Sequence, residues 1–326
     1  MRAAVVDQPG GPEALVVREA PDPAPAPGEV LIEIAYCGCN WADIQRRQGI
    51  YPHPVSYPHV MGREVSGELS ALGAGVETFS VGERVIAILP DSGGYAERCT
   101  APAGLVTRLP AAIPLDVGAA FQVQALTGYH MLHTLRATRA GETVLLHAAS
   151  GGVGLFATQL AVKAGATVIG TVGTAGKENR PIDYGAARVI NLNLDDFVAA
   201  AMEMTGGAGV DFAIDSLGAS TLDRTFDAVR CLGQVINIGE AEGAPYDNIR
   251  DRVLRRSQSF TRFSLGHVME RPDLWSRGME YVLAALEDGS LEAPIVDRFP
   301  LDDVAEMHRR LESRQVTGKL LLSFVD

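Results

Sequence analysis

One short cluster of small residues constrains this chain more than any other segment: His147-Ala-Ala-Ser-Gly-Gly-Val-Gly154. It ends an apolar run, Thr143-Val-Leu-Leu-His-Ala148, and opens a helix-patterned stretch, Gly154-Leu-Phe-Ala-Thr-Gln-Leu-Ala-Val-Lys-Ala164, closed by Gly165. Ala149, Gly151 and Gly154 fill the three small positions of a G-x-G-x-x-G turn, with alanine in the first. Alone the turn is a weak signal; the strand before it and the helix after it supply the context the motif requires. The loop backbone from Ser150 through Gly151, Gly152 and Val153 to Gly154 can then approach a pyrophosphate closely. The helix opening adds unpaired N–H groups and a partial positive charge, and Gly154 lets the helix pack tightly on the strand.

The pattern repeats downstream. Thr167–Val172, Arg188–Ile190, Val210–Asp215 and Gln234–Ile238 read as strands, with helical patterns over Asp195–Met204 and Thr221–Leu232 between them. Apolar strands alternating with helices predict a doubly wound parallel sheet covered on both faces, here over residues 121–264. Residues 1–120 differ: short apolar runs such as Val30–Tyr36 and Arg84–Leu89 are separated by Gly and Pro, which predicts an irregular β-barrel-like domain. Pro21-Asp-Pro-Ala-Pro-Ala-Pro27 lacks the amide donors of a helix or central strand and predicts an extended connector. Residues 265–326 carry amphipathic helices near Asp273–Asp288 and Leu301–Ser313 and a final strand, Lys319–Phe324. This piece is short for a core of its own and is expected to return and complete the first domain.

Composition narrows the function. The chain has 326 residues and a net charge of −12, from 28 Lys+Arg against 40 Asp+Glu. An acid excess argues against nucleic acid or an anionic membrane as partner, since both need a basic patch. No apolar run approaches the ~20 residues that span a bilayer, and the first residues, with Asp7 the first acid, form no signal-peptide core. Cys37, Cys39, Cys99 and Cys231 are too few and too scattered for a disulfide framework, so a reducing cytoplasm is the expected location.

The end of the strand after the glycine turn reads the kind of dinucleotide. An NAD site usually places Asp or Glu there for the ribose 2′-hydroxyl. Here Gly170-Thr-Val-Gly-Thr-Ala-Gly-Lys177 has no acid; Glu178 follows only after Lys177, and Arg180 comes next. Lys177 and Arg180 can neutralise a 2′-phosphate, which favours NADPH, although exposed loop bases of no special role remain the alternative.

Beyond this turn, the chain carries Cys37-Gly-Cys-Asn-Trp-Ala-Asp43, Gly49-Ile-Tyr51-Pro, Gly62-Arg-Glu-Val-Ser-Gly67, Gly73-Ala-Gly-Val76, Gly82-Glu-Arg-Val85, Val189-Ile-Asn191, Thr205-Gly-Gly207, Asp215-Ser-Leu-Gly218 and Leu311-Glu-Ser-Arg314. In this order they resemble, over essentially the whole chain, the zinc-independent medium-chain dehydrogenases/reductases of the quinone oxidoreductase, or zeta-crystallin-like, branch. The resemblance implies a GroES-like β-rich catalytic domain (1–120, completed by 265–326) and a Rossmann NADPH-binding domain (121–264). It implies hydride transfer from NADPH to a quinone, with Asn40 near the nicotinamide and Tyr51 lining the acceptor pocket as candidate donors to the acceptor oxygen. Further cofactor contacts implied are Thr127, the turn residues Ser150 to Gly154, Gly173, Thr174, Arg262, Phe263, Ser264 and Arg314. Ser216 and Gly239, just past strand ends, also fall where cofactor crevices form. Leu192, Gln45 and Glu240 stand where relatives often carry tyrosine, tyrosine and neutral residues.

Zinc enzymes of the same superfamily place a ligand Cys at the position of Asn40 and a ligand His at that of Arg63. An amide is a poor zinc ligand and a guanidinium repels the cation, so no metal is expected; His59 with Glu64 alone would be a weak site. Cys37 and Cys39 read as buried packing residues. His53, His130, His133, His267 and His308 read as structural or surface residues. An acceptor that is already electrophilic then fits best: a quinone, or, as the alternative, an enone or enoyl-thioester. A low-turnover NADPH-binding protein of structural or regulatory role is the reading of a different class. Ser257–Phe263 can form an edge strand that pairs with a second copy, giving a homodimer, and its mixed Phe and Ser/Thr pattern fits an internal edge strand equally well.

Overall fold

Val30, Ile32 and Ile34 alternate with Leu31 and Glu33, so Glu29–Gly38 forms a strand with its apolar side inward. A register shift between Ile34 and Tyr36 changes the alternation, and Ala35 and Cys37 are buried as well. This strand pairs antiparallel with Glu64–Leu72 along its whole length. Its other edge is shared: Glu29 to Glu33 meet Arg98–Pro102, and Tyr36 to Gly38 meet the C-terminal strand Lys319–Ser323. The seven-stranded sheet that results runs Ile295–Pro300, Lys319–Ser323, Glu29–Gly38, Glu64–Leu72, Arg84–Ile88 and Val106–Arg108, with Arg98–Pro102 off this path. Arg2–Val6, Leu15–Glu19 and His59–Val60 make a small second sheet. Pro21 to Pro27 form neither helix nor strand.

The computed structural model describes residues 1–241 and 246–325. It divides into two units: Met1–Val123 with Leu283–Gly289 and Ala293–Asp326, and Gln124–Val282 with Ser290–Glu292. The C-terminal strand lies in the first unit, whose later segments begin at Leu283 and Ala293. Residues 265–282 group with the second unit because the helix Pro272–Glu287 is held there: Tyr281 packs on Tyr129 and His133 with ring centroids 5.0 and 5.2 Å apart. Gly278 makes room for His130, whose Nε2 lies 2.6 Å from where a Cβ would stand.

The second unit holds a six-stranded sheet, all parallel, in the order Arg188–Asn191, Thr167–Val172, Thr143–Leu146, Val210–Asp215, Val229–Asn237, Ser259–Arg262. The order reverses at Thr143–Leu146, the strand that feeds the glycine turn; this is the doubly wound arrangement, which places ligands at the carboxyl ends of the strands. The expected helix Thr221–Leu232 is shorter, Ala219–Ala228. Val229 already pairs with Val210, a register shift follows, and Leu232 turns outward with φ 60°. No helix among the described residues is long and apolar enough to cross a membrane.

Candidate functional site

In the second unit the strand Thr143–Leu146 ends at Ala148, held at φ 51°, and the chain turns into the helix Gly152–Lys163. Gly151 is the N-cap and has no side chain to cap the first-turn N–H groups. The glycines have separate jobs. A Cβ on Gly154 would lie 2.4 Å from Ala148 O and 2.7 Å from Ala149 Cα, so this glycine seats the helix on the strand. A Cβ on Gly152 would lie 2.1 Å from Gln124 Oε1, a buried atom with no hydrogen-bond partner. Gly151 meets only Ala148 O, at 3.3 Å, and its outer side is open. An uncapped helix opening with a backbone this bare suits a dinucleotide's pyrophosphate.

The other cofactor candidates of this unit gather at the same sheet edge. Gly173 and Thr174 follow Thr167–Val172; Ser216 follows Val210–Asp215; Gly239 follows Val229–Asn237. Arg262 ends the edge strand, Phe263 is buried, and Ser264 stands at the N-cap position of the helix Leu265–Met269 without a side-chain cap bond. Arg262 donates to Asn237 Oδ1, which itself stands beside the buried Asp215. Asp215 accepts from Gly218 N, Thr221 Oγ1 and Asn237 Nδ2, bracing the ends of two strands. Lys177 is half-buried after Thr167–Val172, with its ammonium pushed below the usual lysine range by burial. Arg180 stacks on Tyr184, 5.8 Å from the ring centre. The nearby acid, Glu178, accepts from Asn191 Nδ2 at 3.2 Å. Thr127, buried in the helix Leu115–Tyr129, belongs to this unit, and Arg314, at φ 59°, belongs to the first.

The first unit holds a buried polar cluster around Asn40. Asn40 Nδ2 donates to Glu64 Oε1 at 2.8 Å and leans toward Gly38 O at 3.4 Å. Its Oδ1 accepts from Lys319 Nζ at 2.9 Å, and Lys319 also donates to Glu64 Oε1. Glu64 Oε2 accepts from Val123 N at 2.9 Å. Asn40, expected to donate to an acceptor's oxygen, here directs its Nδ2 to Glu64 Oε1 and toward Gly38 O. Sequence reading missed Lys319. A lysine heading the apolar run Lys319-Leu-Leu-Leu was the available signal, because a charge on a buried strand needs a partner.

This donor set does not suit zinc. Position 40 offers an amide, position 63 a guanidinium, and the Glu64 carboxylate already holds an ammonium. A cysteine binds zinc as the thiolate, yet burial pushes the Cys39 thiol up to about 12 and raises Cys37 well above its ordinary value.

Asp43 follows on the short helix Trp41–Arg47, where its Oδ2 accepts from Asn40 N at 2.9 Å and its Oδ1 is buried with no partner. Burial pushes its carboxyl up to about 6, against the pull of the Asn40 amide and nearby cations. The folded protein then holds a proton that the unfolded chain releases near pH 4. Stability from this group is present below that value and is lost as pH rises to about 6, a change of about 3 kcal/mol. Asp43→Asn is expected to lose that slope, as read by urea denaturation between pH 4 and 7; an unchanged slope contradicts the assignment.

Tyr51 lies on the loop after this helix, its ring under the Arg46 guanidinium at 4.7 Å and 5.9 Å from the His53 ring. Of the histidines read as structural or surface residues, His308 is buried between Arg47 and Tyr95, and burial, with Arg47, pushes it down to about 3.

Residues 26–111 match the family model of the alcohol dehydrogenase GroES-like domain, and residues 152–280 match that of the zinc-binding dehydrogenases. The chain is 35% identical to quinone oxidoreductase 1 of Escherichia coli, over 96% of each protein. It is 34% identical to a 2-haloacrylate reductase of a Burkholderia species, over 98% of each. The crystal structure of Escherichia coli quinone oxidoreductase complexed with NADPH superimposes with a TM-score of 0.95, covering 99% of this chain and all of that one, at 32% identity. Similarity of this extent, joined to a GroES-like unit and a Rossmann-like parallel sheet, makes the chain a member of the quinone oxidoreductase family of medium-chain dehydrogenases/reductases.

Proposed function

We propose that this oxidoreductase uses NADPH to reduce a quinone or a similar electrophilic acceptor, without a metal ion. The observation that carries the reading is the uncapped opening of the helix Gly152–Lys163, bare of Cβ atoms where a diphosphate would rest. The NADPH complex of the Escherichia coli relative supports the same cofactor. When bound, the reduced nicotinamide supplies the hydride. The chain's residues do the rest. The amides of Gly152, Val153 and Gly154 face the diphosphate, with Ser150 and Gly151 shaping the turn. Gly173, Thr174, Ser216, Gly239, Arg262, Phe263 and Ser264 line the strand ends, and Thr127, Asn40 and Arg314 complete the proposed set. Asn40 acts as an anchor: fixed by Lys319 and Glu64, it sets the start of the helix leading to Tyr51. Tyr51, whose hydroxyl makes no hydrogen bond to any described residue, is the donor toward the negative charge that develops on the acceptor. The test is NADPH oxidation with 1,4-benzoquinone added; binding of NADPH with no acceptor-dependent oxidation would favour a low-turnover binding protein instead.

The preference for NADPH rests on Lys177 and Arg180 with no carboxylate at the end of Thr167–Val172. The double variant Lys177→Ala, Arg180→Ala is expected to weaken NADPH by about tenfold or more and NADH by much less. Equal losses by titration would count against the 2′-phosphate assignment.

A second reading, reduction of an activated C=C bond, is favoured by the similarity to the 2-haloacrylate reductase. Comparing benzoquinone with an enone under the same conditions separates the two. For assembly, we propose a cytoplasmic homodimer joined through Ser259–Arg262, which pairs on one side only within its sheet. Light scattering of the purified protein tests the dimer.

A further inference from the structure

Arg46 and Arg47 are consecutive, and both are buried, but they are treated very differently. Arg47 donates to Gly10 O and to both carboxylate oxygens of Glu312, and it meets His308 Nδ1 at 3.2 Å. Its charge is balanced inside the fold. Arg46 has one hydrogen-bond partner among the described residues, the Ser92 hydroxyl at 2.7 Å, and its Nε is buried with none. It forms no ion pair there; Asp43 and Asp91 are the carboxylates that act on it from a distance, and Arg63 opposes them. A desolvated guanidinium with no carboxylate in direct contact is costly, and such a group suits a ligand that supplies the anion.

The surroundings show where that anion would sit. Arg46 lines a cavity of about 90 Å³ together with Tyr51, His53, Pro54, Val55 and Tyr57. That is room for a few heavy atoms, about three water volumes. Tyr57 donates to the Arg46 carbonyl and so ties the wall of the cavity to the helix that carries the guanidinium. Rings and prolines make the remaining wall largely apolar, so Arg46 is the charged group within it. Arginine's planar fork matches a carboxylate.

We propose that Arg46 holds a carboxylate on the acceptor, so that among electrophilic acceptors this site favours small ones that carry an acid group. The proposal rests on the reading of Tyr51 as an acceptor-side residue, since the two share the cavity and the guanidinium stacks on that ring. The carboxylate would displace water from Arg46 while the apolar wall holds the carbon skeleton.

Calorimetric titration compares propionate with propionamide, which differ in charge and little in shape, on the protein with and without NADPH. Propionate is expected to bind about tenfold tighter. The advantage should shrink as chloride is added and fall several-fold in Arg46→Leu, with Arg46→Lys between. Equal affinities on the unaltered protein, or no binding of either, overturn the inference whether or not the Arg46 variants fold. A propionate preference that survives in folded Arg46→Leu overturns it too. NADPH oxidation by 1,4-benzoquinone, by 2-chloroacrylate and by its methyl ester is measured separately. Oxidation with none of them contradicts the oxidoreductase reading, while equal kcat/KM for the acid and its ester contradicts the carboxylate site alone.

Discussion

Gly154→Ala should lower stability by about 1–3 kcal/mol and weaken NADPH binding by an order of magnitude or more. The added Cβ would stand 2.4 Å from Ala148 O and 2.7 Å from Ala149 Cα. Both are backbone atoms, so no side-chain rotation relieves the contact; the helix must lift from the strand, and the N–H groups at its opening move with it. The other two turn glycines set a scale. At Gly152 the obstacle, at 2.1 Å, is the far end of the Gln124 side chain, which can swing away. At Gly151 the nearest atom lies at 3.3 Å, so alanine there should cost the fold little. Thermal unfolding of the three variants, each with and without NADPH, should rank them Gly154, Gly152, Gly151 in lost stability. A harmless Gly154→Ala would contradict the close packing assigned to that residue.

Lys319→Met should be the most damaging substitution in the first unit. Lys319 and Glu64 are both fully buried, and the ammonium is the cation on that carboxylate. Methionine nearly matches the lysine stem but leaves the buried Glu64 carboxyl without its cation, with Asn40 Nδ2 and Val123 N as its remaining donors, at a cost of about 3–5 kcal/mol. Asn40 also loses its Oδ1 partner. The double variant Lys319→Met, Glu64→Gln removes both charges and should recover much of the loss, because the penalty comes from the unpaired charge and not from the missing contact. Urea denaturation of the two single variants and the double gives the coupling. Losses that simply add would mean that the pair is not the organising contact of this cluster.

The glycine turn, the parallel strands and the lack of an acid after Thr167–Val172 could be read from the sequence because each is local: a spacing or a period of side chains over a few residues. The Asn40–Glu64–Lys319 cluster could not. It joins a helix start, a central strand and the C-terminal strand, and Lys319 stands 279 residues from Asn40. Asn40 was noticed as a candidate donor, but which way its amide turns depends on that distant lysine. Arg46 was missed for a related reason: in sequence it is one of two adjacent arginines, and only the fold shows that Arg47 pairs with Glu312 while Arg46 pairs with no carboxylate among the described residues. The boundary at 265 was drawn where strand-helix alternation stops; the helix Pro272–Glu287 beyond it packs through Tyr281 and Gly278 against Tyr129 and His130, contacts that local pattern does not record. Helix Ala219–Ala228 ended early because Val229 was claimed by a strand partner, Val210, a tertiary contact that local propensity does not record.

The central claim is that a nicotinamide dinucleotide rests its diphosphate on the amides that open the helix Gly152–Lys163. A crystal structure of the protein soaked with NADPH tests it most directly. The account predicts diphosphate density within hydrogen-bonding distance of the Gly152–Gly154 amides, with the 2′-phosphate toward Lys177 and Arg180. A saturated soak that leaves that turn bare, or that places the dinucleotide elsewhere, would contradict it.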